Sequence, residues 1–428
     1  MLLSKFDLSY GQGKVQIDTA GAKTLEVLNV TQRPALENLA LAFNHAVESE
    51  SIGTPPLNQK LSSGDQVTVI ISDITRSWMR QNLICPLLVD YLSGTIGIPL
   101  ENITFLVALG THRFQTEKEL RSLVSDQVFE KVSVVNHDCK SPSLVNVGRT
   151  SQGNDVFVNP LITGGRKVIV ISATSHHIMS GYSGGRKSIL PGVSGIDTIL
   201  RNHINSLDPE LPKSNPQIGM GEMGNNPVHD DMSEAADMVS PHFGINIALN
   251  ASGEICRLMA GDFKLAWEES CKDCQESMGV EITERADMAV VSCGGFPKDM
   301  NLYQSCKSFF NAVRAVKDDG EIVFLAACPE GGGTAEFFDW IKPLREGRLD
   351  AALRENFSID GYIFFAFCEA MAKRRVHFLT DIPPQELDGI PLDAYNDAKA
   401  LLENVSFKEK SVYVLPYAGN TVPFLKNF

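Results

Sequence analysis

Apolar residues recur along the chain in short β-branched runs, with longer stretches of helical spacing between them. The runs are QVTVIIS at 66–72, ITFLVALG at 103–110, KVIVISA at 167–173, DMAVVSC at 287–293 and EIVFLAAC at 321–328. Strands that alternate with helices predict a parallel α/β sheet. NQKLSSGD before the first run and TDIPPQELDGIPLD at 380–393 carry the turn chemistry of connections. No repeat of fixed period and no low-complexity tract interrupts the pattern. A charged helical segment, GDFKLAWEESCKDCQESMGVEITERAD, precedes the run at Asp287, and beyond it the alternation restarts with EIVFLAAC and RVHFLTD. The expected architecture is α/β in two domains, each a mostly parallel sheet flanked by helices, with residues 1–279 in the first and 280–405 in the second. The last run, SVYVLPYAGNTVPFL, suits either sheet, because periodicity does not choose a partner.

The residues just beyond each strand carry the chemistry. QVTVIIS runs into Asp73-Ile74-Thr75-Arg76, ITFLVALG into Thr111-His112-Arg113, and KVIVISA into Thr174-Ser175-His176-His177. DMAVVSC runs into Gly294-Gly295-Phe296-Pro297-Lys298-Asp299. Open parallel sheets bind ligands in the crevice outside the carboxyl ends of their strands. Three of these clusters belong to the first domain and one to the second, which predicts an active site in the interdomain cleft.

Composition narrows the partners. Of 428 residues 21% are charged and the formal net charge is −14, which argues against a nucleic-acid groove or an anionic membrane surface. An anionic ligand therefore needs a local basic site. Lys5 and Asp7 stand where a secretion signal would need an apolar core, and no run of eighteen apolar residues occurs beyond them, so a cytoplasmic protein is expected. Nine cysteines without framework spacing read as free thiols. Cys271 and Cys274 form a C-x-x-C inside an amphipathic helix, with no second pair or nearby histidine to complete a zinc site.

The densest cluster is HHIMSGYSGGRKSILPG, His176 to Gly192. SGGRKS resembles a phosphate loop, but Arg186 stands where that pattern needs a glycine for close backbone approach, so the match fails. Gly184 and Gly185 permit positive φ or close approach of the backbone to a ligand. Lys187 suits either an anion clamp or an amine that becomes covalently attached, pyridoxal phosphate being the minor covalent alternative. His45 and His377 lie in a helical stretch and a strand and read as packing residues, while His137, His229 and His242 carry no pattern. His112, His176, His177 and His203 lie just past strand ends or the glycine loop, and together with Asp73 and Arg76 they make a functional site the favoured account. Imidazole titrates near 6.5 and also ligates nickel and zinc, so one cluster suits acid/base work and metal binding alike. A metal site complete in protein ligands is missing, so if a metal binds here, something else supplies most of its ligands. In NLYQSCKSFF, Gln304 and Lys307 share a helix face, which is either a solvated face or one from which Lys307 reaches a substrate carboxylate, with Arg76 available from the first domain.

DITR, GTH, H-x-x-x-G-Y-S-G-G-R-K-S-I-L-P-G, a histidine sixteen residues beyond that lysine, and GGFPKDMNLYQSCK occur in that order. Together they resemble the nickel-dependent lactate racemase family over nearly the whole chain. The resemblance implies a nickel-pincer nucleotide, a pyridinium mononucleotide whose nickel is held by one carbon and two sulfurs, loaded by cofactor-biosynthesis proteins. It implies Lys187 as the covalent tether, His203 as the one protein ligand to nickel, and His112 and His177 as acid/base residues. The family's base lies ten residues before its tethered lysine, which selects His177 over His176. Asp73, Thr75 and Arg76 match the family's cofactor and active-site segment, and Gln304 and Lys307 its substrate-facing pair. The resemblance also returns residues 406–428 to the first domain.

The implied chemistry suits the residue types. The α-carbon proton of a 2-hydroxy acid is too weakly acidic for an unaided histidine, so inversion wants a hydride acceptor and a planar 2-keto acid. Two bases then serve the two enantiomers. Lactate is the default substrate; malate, longer aliphatic or aromatic 2-hydroxy acids and sugar acids are alternatives. A non-catalytic cofactor carrier would need neither base. His176 has no assigned role, and oligomeric state is not legible.

Overall fold

The computed structural model describes residues 4–334 and 336–426. In chain order the strands of its two six-stranded sheets are β1 (Thr24–Val27), β2 (Val67–Ser72), β3 (Ile103–Ala108), β4 (Ser133–Asn136), β5 (Lys167–Ala173), β6 (Phe243–Leu249), β7 (Ile255–Gly261), β8 (Ala286–Ser292), β9 (Val316–Leu325), β10 (Arg375–Leu379), β11 (Asp393–Tyr395) and β12 (Ser411–Leu415). The helices used below are α1 (Ile196–His203), α2 (Pro227–Val239), α3 (Phe263–Met278), α4 (Leu302–Val313), α5 (Leu349–Glu355) and α6 (Ile359–Met371).

The chain forms two compact units. One holds Gln32–Ser206 and Pro216–Ser277; the other holds the chain before Gln32, Leu207–Asn215 and the chain from Met278 on. In the first unit the sheet order is β7-β6-β5-β2-β3-β4, parallel except for the β6–β7 pair. Consecutive residues of VTVIIS and KVIVISA are buried, as in strands covered on both faces. Val67, Val69, Ile71, Phe105, Val107, Ile169, Ile171, Ile245 and Ile247 pack one face of that sheet into a single core. Chain order reverses between β2 and β5, so the crevice beside their carboxyl ends is the switch point where α/β sheets place ligands.

In the second unit the order is β11-β10-β9-β8-β12-β1, all parallel. Two expectations about its limits change. The carboxyl-terminal run does not return to the first sheet: Met288 registers with Val412 and Val291 with Leu415, so β12 lies beside β8. Val422–Leu425 likewise pairs with Gly279–Ile282. The amino-terminal segment joins the same sheet, Leu25 opposite Val412. VYVL is buried throughout, and only a strand position with neighbours on both edges satisfies both its side chains and its ladder. Leu207–Asn215 is held in this unit by Arg354 of α5, which donates to Asp208 O (2.8 Å) and Leu211 O (2.9 Å), and by Tyr362 of α6 donating to Ser214 Oγ (3.2 Å). The nine cysteines are free thiols, and Cys271 and Cys274 lie on the buried face of α3. Among the described residues no helix is long and apolar enough to cross a membrane.

Candidate active site

β2 ends by delivering Asp73 into the switch crevice, 3% exposed. Its Oδ2 lies 2.5 Å from His112 Nδ1, and its Oδ1 accepts from Thr75 Oγ1 at 2.7 Å. Arg76 donates through Nη1 to the same Thr75 hydroxyl at 2.7 Å. DITR and GTH, 39 residues apart at the Asp73–His112 contact, thus form one relay, Arg76 to Thr75 to Asp73 to His112. Burial pushes the Asp73 carboxyl up, but the hydrogen bond and charge of His112 outweigh it and hold the group below the ordinary carboxylate range. The His112 side chain is 46% exposed, so the dyad opens outward.

After β5 the chain forms a tight hairpin with His176 opposite Tyr182 and His177 opposite Gly181. His177 Nδ1 accepts the backbone N–H groups of Met179 (3.2 Å) and Ser180 (3.3 Å). Its Nε2 lies 3.3 Å from Lys187 Nζ. His176 turns away toward α3, with Nε2 3.0 Å from Gln275 Oε1, Nδ1 3.6 Å from Cys274 Sγ and its ring against Tyr182 at 5.0 Å. The adjacent histidines are divided by strand alternation: one ties the hairpin to a helix and the other meets the lysine.

The glycine loop is built for its own packing. Gly184 and Gly185 have φ of 71° and 50°, and a Cβ would meet Ala173 O at 2.8 Å in the first and Trp267 Cγ at 2.4 Å in the second. Of the two reasons for glycine at these positions, positive φ is observed, and the close approach is to protein. Arg186 is buried, donating to Ser180 O (2.5 Å), Tyr182 O (3.3 Å) and His229 Nδ1 (2.7 Å), with its guanidinium 4.0 Å from the Trp267 ring. Burial pushes its pKa down to about 9. The residue that breaks the phosphate-loop pattern is therefore an internal strut that presents Lys187 on the other side.

His203 is the last residue of α1, 2% exposed, its Nδ1 2.9 Å from Ile199 O. Burial, and then the charge of Lys187, push its pKa down to about 3. The ring is neutral with its proton on Nδ1, so Nε2 keeps a lone pair suited to a metal. α1 is pinned by a residue that no motif in the sequence singles out. Asp231 of α2 is fully buried and accepts from Thr150 Oγ1 (2.6 Å), Asn154 Nδ2 (2.8 Å) and Asn202 Nδ2 (2.8 Å), the last being the neighbour of His203. Only its place among polar residues of an amphipathic helix is visible in sequence. Among the described residues no three His, Cys, Asp or Glu side chains are grouped to hold a metal.

Gln304 and Lys307 belong to the other unit, one turn apart near the start of α4, with Lys307 Nζ donating to Gln304 Oε1 at 2.6 Å. They lie opposite the buried face formed by Ser305, Cys306, Phe309 and Ala312. Lys298, after β8, packs its stem against Gly294 and Gly419, and its ammonium makes no ion pair among the described residues. Burial lowers its pKa.

A Lactate racemase N-terminal domain model matches residues 10–213, and a Lactate racemase C-terminal domain model matches residues 282–416. The chain is 29% identical over 347 residues to a lactate racemase of Thermoanaerobacterium thermosaccharolyticum, covering 80% of this chain and 79% of that one. It is 28% identical over 342 residues to a lactate racemase of Lactiplantibacillus plantarum, covering 78% of each. The solved lactate racemase apoprotein from Thermoanaerobacterium thermosaccharolyticum has the same fold, with a TM-score of 0.87 at 24% identity over 98% of this chain and 100% of that one. On the two domain matches together, the chain belongs to the lactate racemase family.

Proposed function

We propose that this protein is a cytoplasmic isomerase that interconverts the enantiomers of a small 2-hydroxy acid, lactate by default, using a nickel-pincer nucleotide tethered to Lys187. The observation that carries the reading is the meeting of Lys187 with His177 at 3.3 Å, in the same unit as the Asp73–His112 dyad and a buried neutral His203. The donor set fits the cofactor. One neutral imidazole with its Nε2 lone pair left for coordination suits a metal that brings its remaining ligands with it. When bound, the nucleotide supplies a reversible hydride acceptor. Lys187 and His203 would hold it, and Asp73, Thr75 and Arg76 would line its binding segment.

The chain's own residues do the rest. His112 takes the substrate hydroxyl proton at Nε2 while Asp73 holds its Nδ1–H, and His177 serves the other enantiomer. Arg76 holds the carboxylate, a charge-assisted bond contributing about 1.5–3 kcal/mol, and in the other unit Gln304 fixes the ammonium of Lys307, the second residue of the family's substrate-facing pair. The test is a panel of enantiopure 2-hydroxy acids offered to cofactor-loaded protein, with nickel content and the mass of the Lys187 peptide measured in parallel. Racemisation by protein carrying nickel and an adduct on Lys187 is expected. Full activity without either would sink the proposal.

A further inference from the structure

The acid/base assignment gives His112 and His177 equivalent tasks, yet their hydrogen bonds differ in kind. His112 Nδ1 faces the Asp73 carboxylate at 2.5 Å. An ionised carboxylate only accepts, so Nδ1 carries the proton of the neutral ring and Nε2 keeps the lone pair. At His177 the order is reversed. Two backbone N–H groups, of Met179 and Ser180, point at Nδ1 from 3.2 and 3.3 Å. Backbone N–H groups only donate, so Nδ1 is an acceptor; Lys187 Nζ, 3.3 Å from Nε2, competes as a donor on the other side, but two fixed backbone N–H groups leave no acceptor for a proton on Nδ1, which puts the single proton of the neutral ring on Nε2.

We propose that the two histidines are held in opposite tautomers, His112 with a proton-accepting Nε2 and His177 with a proton-bearing Nε2. The assignment builds on the acid/base roles above and makes the pair unequal. In the resting protein only His112 is ready to take a hydroxyl proton. His177 instead donates a hydrogen bond to a substrate oxygen, the service a neutral imidazole performs when it polarises a carbonyl. Turning His177 into an acid or a base at Nε2 puts a proton on Nδ1, facing two backbone N–H groups, and so requires the ring to rotate about χ2 or the 178–180 turn to move. The enantiomer whose hydroxyl meets His112 therefore reacts without rearrangement, and the other waits on that movement. Asp73 is a positioning residue here: it acts through His112, and Thr75 and Arg76 steady its second oxygen.

The experiment reads the tautomers directly. Long-range proton–nitrogen correlation spectra of the full-length, cofactor-free protein are recorded at a pH where both rings are neutral, with His112→Gln and His177→Gln spectra assigning the signals. The expected spectrum has the unprotonated nitrogen at Nε2 in His112 and at Nδ1 in His177, each preferred roughly tenfold or more. Asp73→Asn lowers the His112 preference severalfold and leaves His177 unmoved. Lys187→Met removes a side chain able to donate to Nε2, and His177 keeps its tautomer because the backbone donors remain. The same tautomer in both rings, a His112 signal indifferent to Asp73→Asn, or a His177 that switches in Lys187→Met overturns the proposal. Racemisation by cofactor-loaded His112→Ala and His177→Ala tests the underlying reading separately. Retained turnover removes the acid/base roles whatever the tautomers are, whereas matching tautomers with both variants inactive removes only the asymmetry.

Discussion

At the carboxyl end of one sheet, the 73–76 and 112 side chains are joined mainly to each other, while the 176–192 loop is joined to backbone and to a buried ring. In the first region the Asp73–His112 hydrogen bond, with the imidazole half open to solvent, sets the geometry. In the second, glycines at positive φ, the Arg186 strut and Trp267 set it, and Trp267 Nε1 donates to Ser183 O at 2.9 Å. The first region is therefore tunable by charge and pH at little cost to the fold. The second is rigid, and changes within it are felt as stability. A reactive lysine gains from the rigid mount, because positioning to within about an ångström governs rate.

The comparison is broken most severely at Lys187. Lys187→Ala is expected to leave no measurable racemisation and no retained nickel, with a denaturation midpoint close to wild type, because the strut is Arg186; a large loss of stability would show that the lysine holds the loop. Next, Asp73→Asn should lower kcat by roughly 10²–10⁴-fold through the loss of an oriented base, while thermal unfolding shifts little. A rate near wild type would separate Asp73 from the chemistry. Gly185→Ala reverses the balance. Its Cβ meets Trp267 at 2.4 Å with φ at 50°, so a stability loss of roughly 2–4 kcal/mol is expected in denaturant titration. Lys307→Met should raise KM about tenfold or somewhat more with kcat less affected, as for the loss of one charge-assisted bond to the substrate carboxylate.

The smallest effect is in pH. Asp73 is held below its ordinary value, so its contact with His112 stabilises the fold fully above the unfolded carboxylate pKa of about 3.9, and that contribution disappears as pH falls through the depressed folded value. Wild type and Asp73→Asn should therefore converge in stability as pH falls below the ordinary carboxylate range and stay apart near neutrality. A gap that widens on acidification would contradict the direction of the shift.

Much of the candidate site is legible in the sequence because parallel strands advertise themselves as apolar runs and place polar residues at their carboxyl ends. Asp73, His112, His177 and Lys187 all stand out that way, each just past a strand or in the glycine loop. Arg186 is legible only as a mismatch, since nothing in SGGRKS says that the guanidinium points inward at two carbonyls and an indole. Asp231 is hidden for a related reason: an aspartate in PVHDDMSEAADMV has the spacing of a solvated face, and its three partners come from residues 150, 154 and 202.

By itself the sequence determined the α/β class, the strands, the polar residues at their ends and the family, because these depend on local periodicity and on the order of short motifs. Only the tertiary structure decided that the final strand and the amino-terminal strand complete the second sheet, that Asp73 grips His112, and that His176 and His177 face different neighbours. Those outcomes depend on which edge or side chain arrives from tens or hundreds of residues away. A cluster of histidines around a glycine loop thus marked the candidate groups, and the folded structure decided which neighbour each ring nitrogen meets.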